Sequence, residues 1–409
     1  MRIAIQAADL DASRIDGTRV YILNLLRRFG SIAPWDDFYI YHKSEFNPEL
    51  IPPNFPNYKI KKIKSPLLWT QTRFAWELLK DKPDVLWMPM HNIPLIRSKK
   101  IKTAVTVHDL AYKYFPDYFP SKDLFLLNLL GDMAIKNASK LIAISESTKR
   151  DILKFYPAVK EEKIKVIYHG FDADLFQKNI PTEEKDSVLK SYDLKSKGYI
   201  LYSGAIQPRK NLVRLIEAFG IFKNNTSSDV KLVLAGEKAW LWESILAKAE
   251  NSPFKDDIII TGKLKFSDLS VLTRSAGVYA YPSLYEGFGM PILEAQSAGV
   301  PVVAGDNSSI REIITLPFSP WIRRDVPEGQ RGGDDASQDL PLAPSLSRRG
   351  GMESAILADP SDAEQIAEAA YKLISDKNLR DDIIKRGYEN VKRFSWEKCA
   401  NETLDWMKS

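Results

Sequence analysis

The sequence predicts an α/β protein built from two doubly wound, Rossmann-like domains. Three observations carry that expectation. Short β-branched and aromatic runs alternate with helical periods through most of the 409 residues, which is the pattern of parallel sheets covered by helices on both faces. Thirteen such runs can be read, more than one twisted sheet comfortably holds. A polar, highly charged stretch at 175–197, containing Pro181, separates seven of them from six.

Taken in order, the first seven strands are expected at Arg2–Ala7, Phe38–His42, Tyr58–Ile63, Val85–Met88, Thr103–Val107, Leu141–Ile144 and Ile164–Tyr168. The next six are expected at Tyr199–Ser203, Lys231–Ala235, Ile258–Thr261, Val278–Tyr281, Val302–Ala304 and Ala355–Ala358. Each is a short apolar run, as strands buried on both faces require. Asp376–Ser409 reads as largely helical, with Trp396, Leu404 and Trp406 available for packing back on the first domain. Residues 316–353 keep no apolar period and are rich in Pro, Gly, Arg, Asp and Ser. A stretch of that length and composition reads as a disordered surface insertion. The expected domains are 1–180, 190–385 carrying the insertion, and a terminal helix at 386–409.

Composition narrows the function. Apolar residues are 44% and charged residues 27% of the chain, as in soluble globular proteins. The single Cys399 excludes a disulfide framework and a Cys-based zinc site. Met1–Ala7 is too short and interrupted for a signal-peptide core, and no run approaches the roughly 18–20 apolar residues of a membrane span. A soluble, cytoplasmic protein is expected. The net charge of +5 is unevenly shared: residues 1–180 hold 28 Lys and Arg against 20 Asp and Glu, and residues 51–100 hold 10 against 3. The run Lys59–Lys80 interleaves cations with Trp69, Phe74, Trp76 and Leu78, and Phe115, Tyr118 and Phe119 form a second aromatic loop. That pattern suits an anionic membrane surface at the inner face or an anionic acceptor; the alternative is aromatics in the core and solvated lysines. No nucleic-acid-binding module accompanies the charge.

The strongest chemical signal is Tyr281–Ala295, where a strand ends, Gly287 and Gly289 permit a tight turn, and Met290–Pro291 open a helix. Its free N–H groups favour phosphate, and Glu286 and Glu294 suit sugar hydroxyls. A second signal is Gly204 to Asn211, which places Arg209 and Lys210 after a strand, where they could neutralise a diphosphate leaving group. Third, His108 in Val107-His108-Asp109-Leu110 sits at a strand's carboxyl edge and could donate to a sugar hydroxyl. Fourth, Gly17 opens a helix after the first strand and could let the backbone approach a phosphate. Asp172-Ala173-Asp174 has the form of a metal motif but lies in a polar loop, and is read as a turn; no metal site is expected.

On these residues the sequence resembles the retaining glycosyltransferases of family 4, the group 1 transferases of GT-B fold. The resemblance rests on the Glu286 to Glu294 spacing, Gly204–Asn211, Val107–Leu110, Ile144–Thr148, Pro301–Ala304 and Asp359-Pro360. It spans nearly the whole chain apart from 316–353. It implies two domains facing across a cleft and a nucleotide-diphosphate sugar donor, with no obligatory cofactor or metal. Glu294 would hold the ribose, Glu286 the transferred sugar, Arg209 and Lys210 the diphosphate, and His108 the donor sugar's 6-hydroxyl. Gly17, Gly287, Phe288, Gly289 and Met290 would line the donor, with the base near Gly262 and Leu264. The acceptor, a saccharide or lipid-linked saccharide, would bind the first domain. The pattern from His108 to Pro120 resembles mannosyltransferases of polysaccharide assembly, including lipopolysaccharide, which implies GDP-mannose. Two alternatives stay open: another enzyme on the same fold, such as a sugar-nucleotide epimerase or phosphorylase, and a non-catalytic nucleotide-sugar-binding protein.

Overall fold

Apolar runs become strands here because neighbouring strands and helices cover both of their faces. In the computed structural model, which describes residues 1–64, 68–177, 180–316 and 352–409, the chain divides into two units. The first comprises Met1–Ala173, Tyr285–Met290 and Lys392–Ser409; the second comprises Asp174–Leu284 and Pro291–Val391.

The first unit holds β1 (Arg2–Gln6), β2 (Asp37–His42), β3 (Tyr58–Lys62), β4 (Val85–Met88), β5 (Lys102–Val107), β6 (Lys140–Ala143) and β7 (Ile164–Val166). They form one parallel sheet in the order β3-β2-β1-β4-β5-β6-β7. β4 is buried at every residue. The helix Gly17–Ile32 covers one face with Tyr21, Ile22, Leu25, Leu26 and Phe29, all buried. Those positions repeat at helical spacing, so one stripe meets the sheet. Asp16 caps this helix by accepting from the Arg19 N–H. The terminal helix Trp396–Lys408, capped by Ser395, packs in the same core. Trp396 and Leu404 are buried there, and Trp406 Nε1 donates to Leu141 O at 3.1 Å. Burying a side chain of that kind contributes about 1.5–3 kcal/mol, which holds the chain's last turns to this unit.

The second unit holds β8 (Tyr199–Ser203), β9 (Lys231–Ala235), β10 (Ile258–Gly262), β11 (Val278–Tyr281), β12 (Val302–Gly305) and β13 (Ile356–Ala358). Their order is β10-β9-β8-β11-β12-β13, again all parallel. β8, β11 and β12 are wholly buried.

Several expectations need revision. The polar stretch 175–197 is not a bare linker: it contains the helix Thr182–Ser191 and sends Leu189 and Leu194 into the second unit's core. The predicted insertion 316–353 lies outside the described residues except at its ends. There Leu316 N–H donates to Met352 O and Ser354 N–H to Ile314 O, each at 3.0 Å, so the two ends close as an antiparallel pair. The Lys-rich run at 59–62 is the edge strand β3, and lysine on a sheet edge opposes edge-to-edge pairing. Lys59 pairs with Asp37 at 3.1 Å, Lys61 with Asp81 at 2.6 Å, and Lys62 with Glu45. Trp69, Phe74 and Leu78 are core residues. Most of that run is therefore satisfied within the fold rather than held ready for a partner. No described helix is long and apolar enough to cross a membrane.

Candidate active site

Strand order reverses between β1 and β4 in the first unit and between β8 and β11 in the second. Doubly wound sheets bind ligands beyond the carboxyl ends of the strands at such a reversal. Both units leave buried polar atoms without hydrogen-bond partners there. In the first they are Gln6 Oε1 at the end of β1, and both ring nitrogens of His91 with Asn92 Oδ1 shortly after β4. In the second they are Gln207 Oε1 after β8 and Ser283 Oγ after β11. Each such atom costs about 1–3 kcal/mol if nothing meets it. Others lie elsewhere, on His169, Arg386 and Trp396 among them, so it is the place of these atoms at the two reversals that suits a polar ligand.

Within the second unit, β8 leads to Gly204 and a single turn at Pro208–Lys210. Asn211 follows in the left-handed region (φ 60°) and starts the helix Leu212–Thr226. Its Nδ2 donates to Pro282 O at 3.1 Å and Pro360 O at 2.5 Å, while Leu284 N–H donates to Arg209 O at 2.9 Å. The Arg209-Lys210 turn is thus bolted to the loop that follows β11. Lys210 is buried, with Nζ 3.1 Å from the Tyr281 hydroxyl and over its ring. Gly262 ends β10 at φ 71°, and Leu264 packs against the core beside it. Glu294 is half-buried on the helix Met290–Ser297.

The first unit takes the segment Tyr285–Met290. Tyr285 hydrogen-bonds Asp151 and packs against Tyr114 and Phe115. Phe288 is buried among Tyr168, His169 and Phe394, and Met290 packs on the core near Gly17. The side chains of Phe288 and Met290 therefore anchor this segment. A Cβ on Gly287 would lie 1.9 Å from His108 O. Only glycine lets the segment approach β5's end so closely, and this brings buried Glu286 into the unit that carries His108.

His108 Nε2 lies 2.8 Å from Pro89 O. A carbonyl only accepts, so Nε2 carries the proton. Burial holds the ring's pKa below its ordinary value, against the opposing pull of Pro89 O and Asp109. The neutral ring then offers a lone pair at Nδ1. The expected donation to a sugar hydroxyl is reversed: His108 would accept from one. Burial also lowers His91, to about 4, and His169. At Gly17 the helix N-terminus is real, but Arg19 is turned to Asp16 and to Asp9 O rather than outward. Among the described residues, no three His, Cys, Asp or Glu side chains are grouped to hold a metal.

Residues 184–319 match the family described as glycosyl transferases group 1, and residues 15–175 match glycosyltransferase family 4. The chain is a group 1 glycosyltransferase. The transferase is 25% identical to O-antigen chain mannosyltransferase B of Escherichia coli, over 96% of each chain. It is 30% identical to O-antigen chain mannosyltransferase RfbU of Salmonella typhimurium, over 55% of this chain and 57% of that one. Its fold matches HepE of Anabaena, solved in complex with UDP and glucose, with a TM-score of 0.71 at 15% identity over the full length of both. The two parallel sheets are thus those of a GT-B glycosyltransferase. Reading the transferase's sequence found the charged residues but passed over Gln6, His91, Asn92, Gln207 and Ser283. Their signal was positional: each falls within a few residues of a strand's carboxyl end.

Proposed function

We propose that this transferase moves a hexose, mannose from GDP-mannose in the first instance, onto a saccharide or lipid-linked saccharide at the cytoplasmic face of a membrane. The transfer retains anomeric configuration and needs no obligatory metal. The observation that carries this reading is the pair of strand-order reversals, each bearing buried polar atoms without partners. The mannosyltransferase names of the Escherichia coli and Salmonella relatives support the sugar, and the UDP and glucose of the Anabaena structure support a nucleotide-sugar donor.

In the reaction, the bond from the sugar's anomeric carbon to the diphosphate oxygen breaks and the nucleoside diphosphate leaves. The acceptor oxygen bonds to the same face of that carbon, and its proton passes to the leaving phosphate. Arg209, Lys210 and the N-terminus of the helix Met290–Ser297 take up the charge that develops. Glu286 holds hydroxyls of the sugar, Glu294 holds those of the ribose, and neutral His108 accepts from the 6-hydroxyl. Gly262 and Leu264 border the base. Gly17, Gly287 and Gly289 supply backbone approach.

Removing one preorganised contact of this kind typically lowers turnover about 10²–10³-fold. Lys210→Ala and Glu286→Ala are each expected to lose transfer on that scale, with circular dichroism and melting showing a folded chain. A folded variant with near-wild-type turnover on the true donor and acceptor would overturn the roles. The donor is found by a thermal-shift panel of GDP, UDP, ADP and TDP and then their sugars, where ligand at about 100 times its Kd stabilises by about 2.7 kcal/mol. GDP-mannose is expected to give the largest shift.

A further inference from the structure

We propose that the first unit carries a bilayer-binding surface made by three adjoining segments: the stretch 70–81, the loop 92–100 and the helix Ser121–Asn137. Hydrogen bonds join them. Gln71 Nε2 donates to Ile93 O at 2.8 Å and Leu95 N–H to Gln71 Oε1 at 2.9 Å, while Arg97 Nη2 donates to Asn137 O at 2.7 Å. On each segment large apolar side chains face water: Trp76 is 58% exposed, Ile96 70% and Phe125 66%, with Leu95, Leu126 and Leu129 beside them in sequence or one helical turn away. Phe125, Leu126 and Leu129 fall on one face of their helix, at positions spaced by one, three and four residues. An amphipathic helix normally turns such a stripe inward. Here Gly131, Ala134 and Ile135 are its buried residues and the stripe points out.

Charge selects the occupant. Arg73, Lys99, Lys100 and Lys122 are exposed on these segments with no ion-pair partner among the described residues. Of the four acids on these segments only Asp123 has no ion pair among the described residues: Glu77 pairs with Lys80, Asp81 with Lys61, and Asp132 with Lys113. Two copies of such a face repel each other, and four of the six exposed apolar side chains, Leu95, Ile96, Leu126 and Leu129, are aliphatic, which suits acyl chains better than nucleic-acid bases that stack on aromatic rings. Apolar side chains ringed by unpaired cations match an anionic bilayer, whose headgroups take the charge while the apolar groups enter the acyl boundary. Its end at Lys122 and Phe125 adjoins the reaction side of the unit, because the helix Ser121–Asn137 follows β5 and His108, whereas Arg97 and Asn137 lie beside Thr103 at the amino end of β5. A bilayer bound there brings a lipid-carried acceptor to that edge. This deepens the membrane part of the proposed function, and its test contains no sugar, so the two fail separately.

The test is co-sedimentation of the full chain with sucrose-loaded vesicles of phosphatidylcholine alone or with about 30 mol% phosphatidylglycerol, in about 0.1 M salt. Binding is expected to the anionic vesicles and not to the neutral ones, and to weaken as salt rises. Ile96→Glu with Phe125→Glu is expected to lower the partition coefficient roughly tenfold or more. Both positions are exposed, so the melting temperature should stay put, as should transfer to a water-soluble acceptor analogue. Equal sedimentation of wild type and the double variant would overturn the proposal. So would no binding to anionic vesicles, or a dimer in light scattering that the double variant abolishes.

Discussion

His91 shows how much one side chain can say. Its two ring nitrogens are buried without partners, and burial lowers its pKa to about 4. In the unfolded chain the same imidazole titrates near 6.5. Between those values the unfolded chain binds the extra proton, so stability falls as pH drops below about 6.5 and the loss continues toward pH 4. Above pH 6.5 both states are neutral and the contribution is flat. The slope for one histidine is about 1.4 kcal/mol per pH unit inside the window. His91→Gln removes that term and leaves the acids unchanged. Thermal midpoints measured from pH 7.5 to 5.0 are expected to fall less steeply for the variant than for the wild type. Parallel curves would show that His91 titrates normally and finds partners in solution.

At the scale of elements, the turn Pro208–Lys210 matters more than the helix it opens. Asn211 holds it by adopting φ 60° and by donating to Pro282 O and Pro360 O. Asn211→Ala keeps a Cβ in the left-handed region without the polar side chain that lets asparagine tolerate it there, and abandons both carbonyls. Asn211→Gly abandons the carbonyls but accepts the backbone angle. The expected order of stability is wild type, then glycine, then alanine, by chemical denaturation. Transfer should fall in both variants, since both lose the tie to the loop after β11; full activity in the glycine variant would show that tie to be idle. Strands were legible because a parallel strand's apolar run is local information: β4, β8, β9 and β11 fall where the runs placed them. The charged residues of the site were legible as motif chemistry. The partnerless polar atoms were not, because Gln6 and His91 become neighbours at a reversal only through strand order. Nor was the role of Phe288, whose burial depends on Tyr168 and Phe394, far away in sequence. The lysines of β3 misled for the same reason: their partners Asp37 and Asp81 come from other elements.

At the scale of the whole molecule, the basic excess of residues 1–180 resolves into two parts. The edge strand β3 spends its lysines on ion pairs, while Arg73, Lys99, Lys100 and Lys122 keep theirs for something outside the chain. The second unit is close to neutral, and of its adjacent cations Arg209 and Lys210 the lysine is buried against Tyr281. The segment 317–351 stands apart from both uses. The match to the group 1 family stops at residue 319. The flanking residues close on each other, with Leu316 N–H to Met352 O and Ser354 N–H to Ile314 O at 3.0 Å. A hairpin base of that kind needs only a two-residue turn, for which Asn-Gly is the favoured choice. Replacing 317–351 by Asn-Gly shortens the closed loop, and the loop-closure relation credits that with about 2 kcal/mol of stability. For a unit of this size the melting temperature is expected to hold or rise by a few degrees. Transfer should persist, because the paired ends keep the helix Ile310–Ile314 and β13 in register. Differential scanning calorimetry together with a turnover assay decides the matter. A drop of more than about 5 °C would mean that the segment stabilises the second unit, and lost turnover in a stably folded chain would mean that it takes part in transfer.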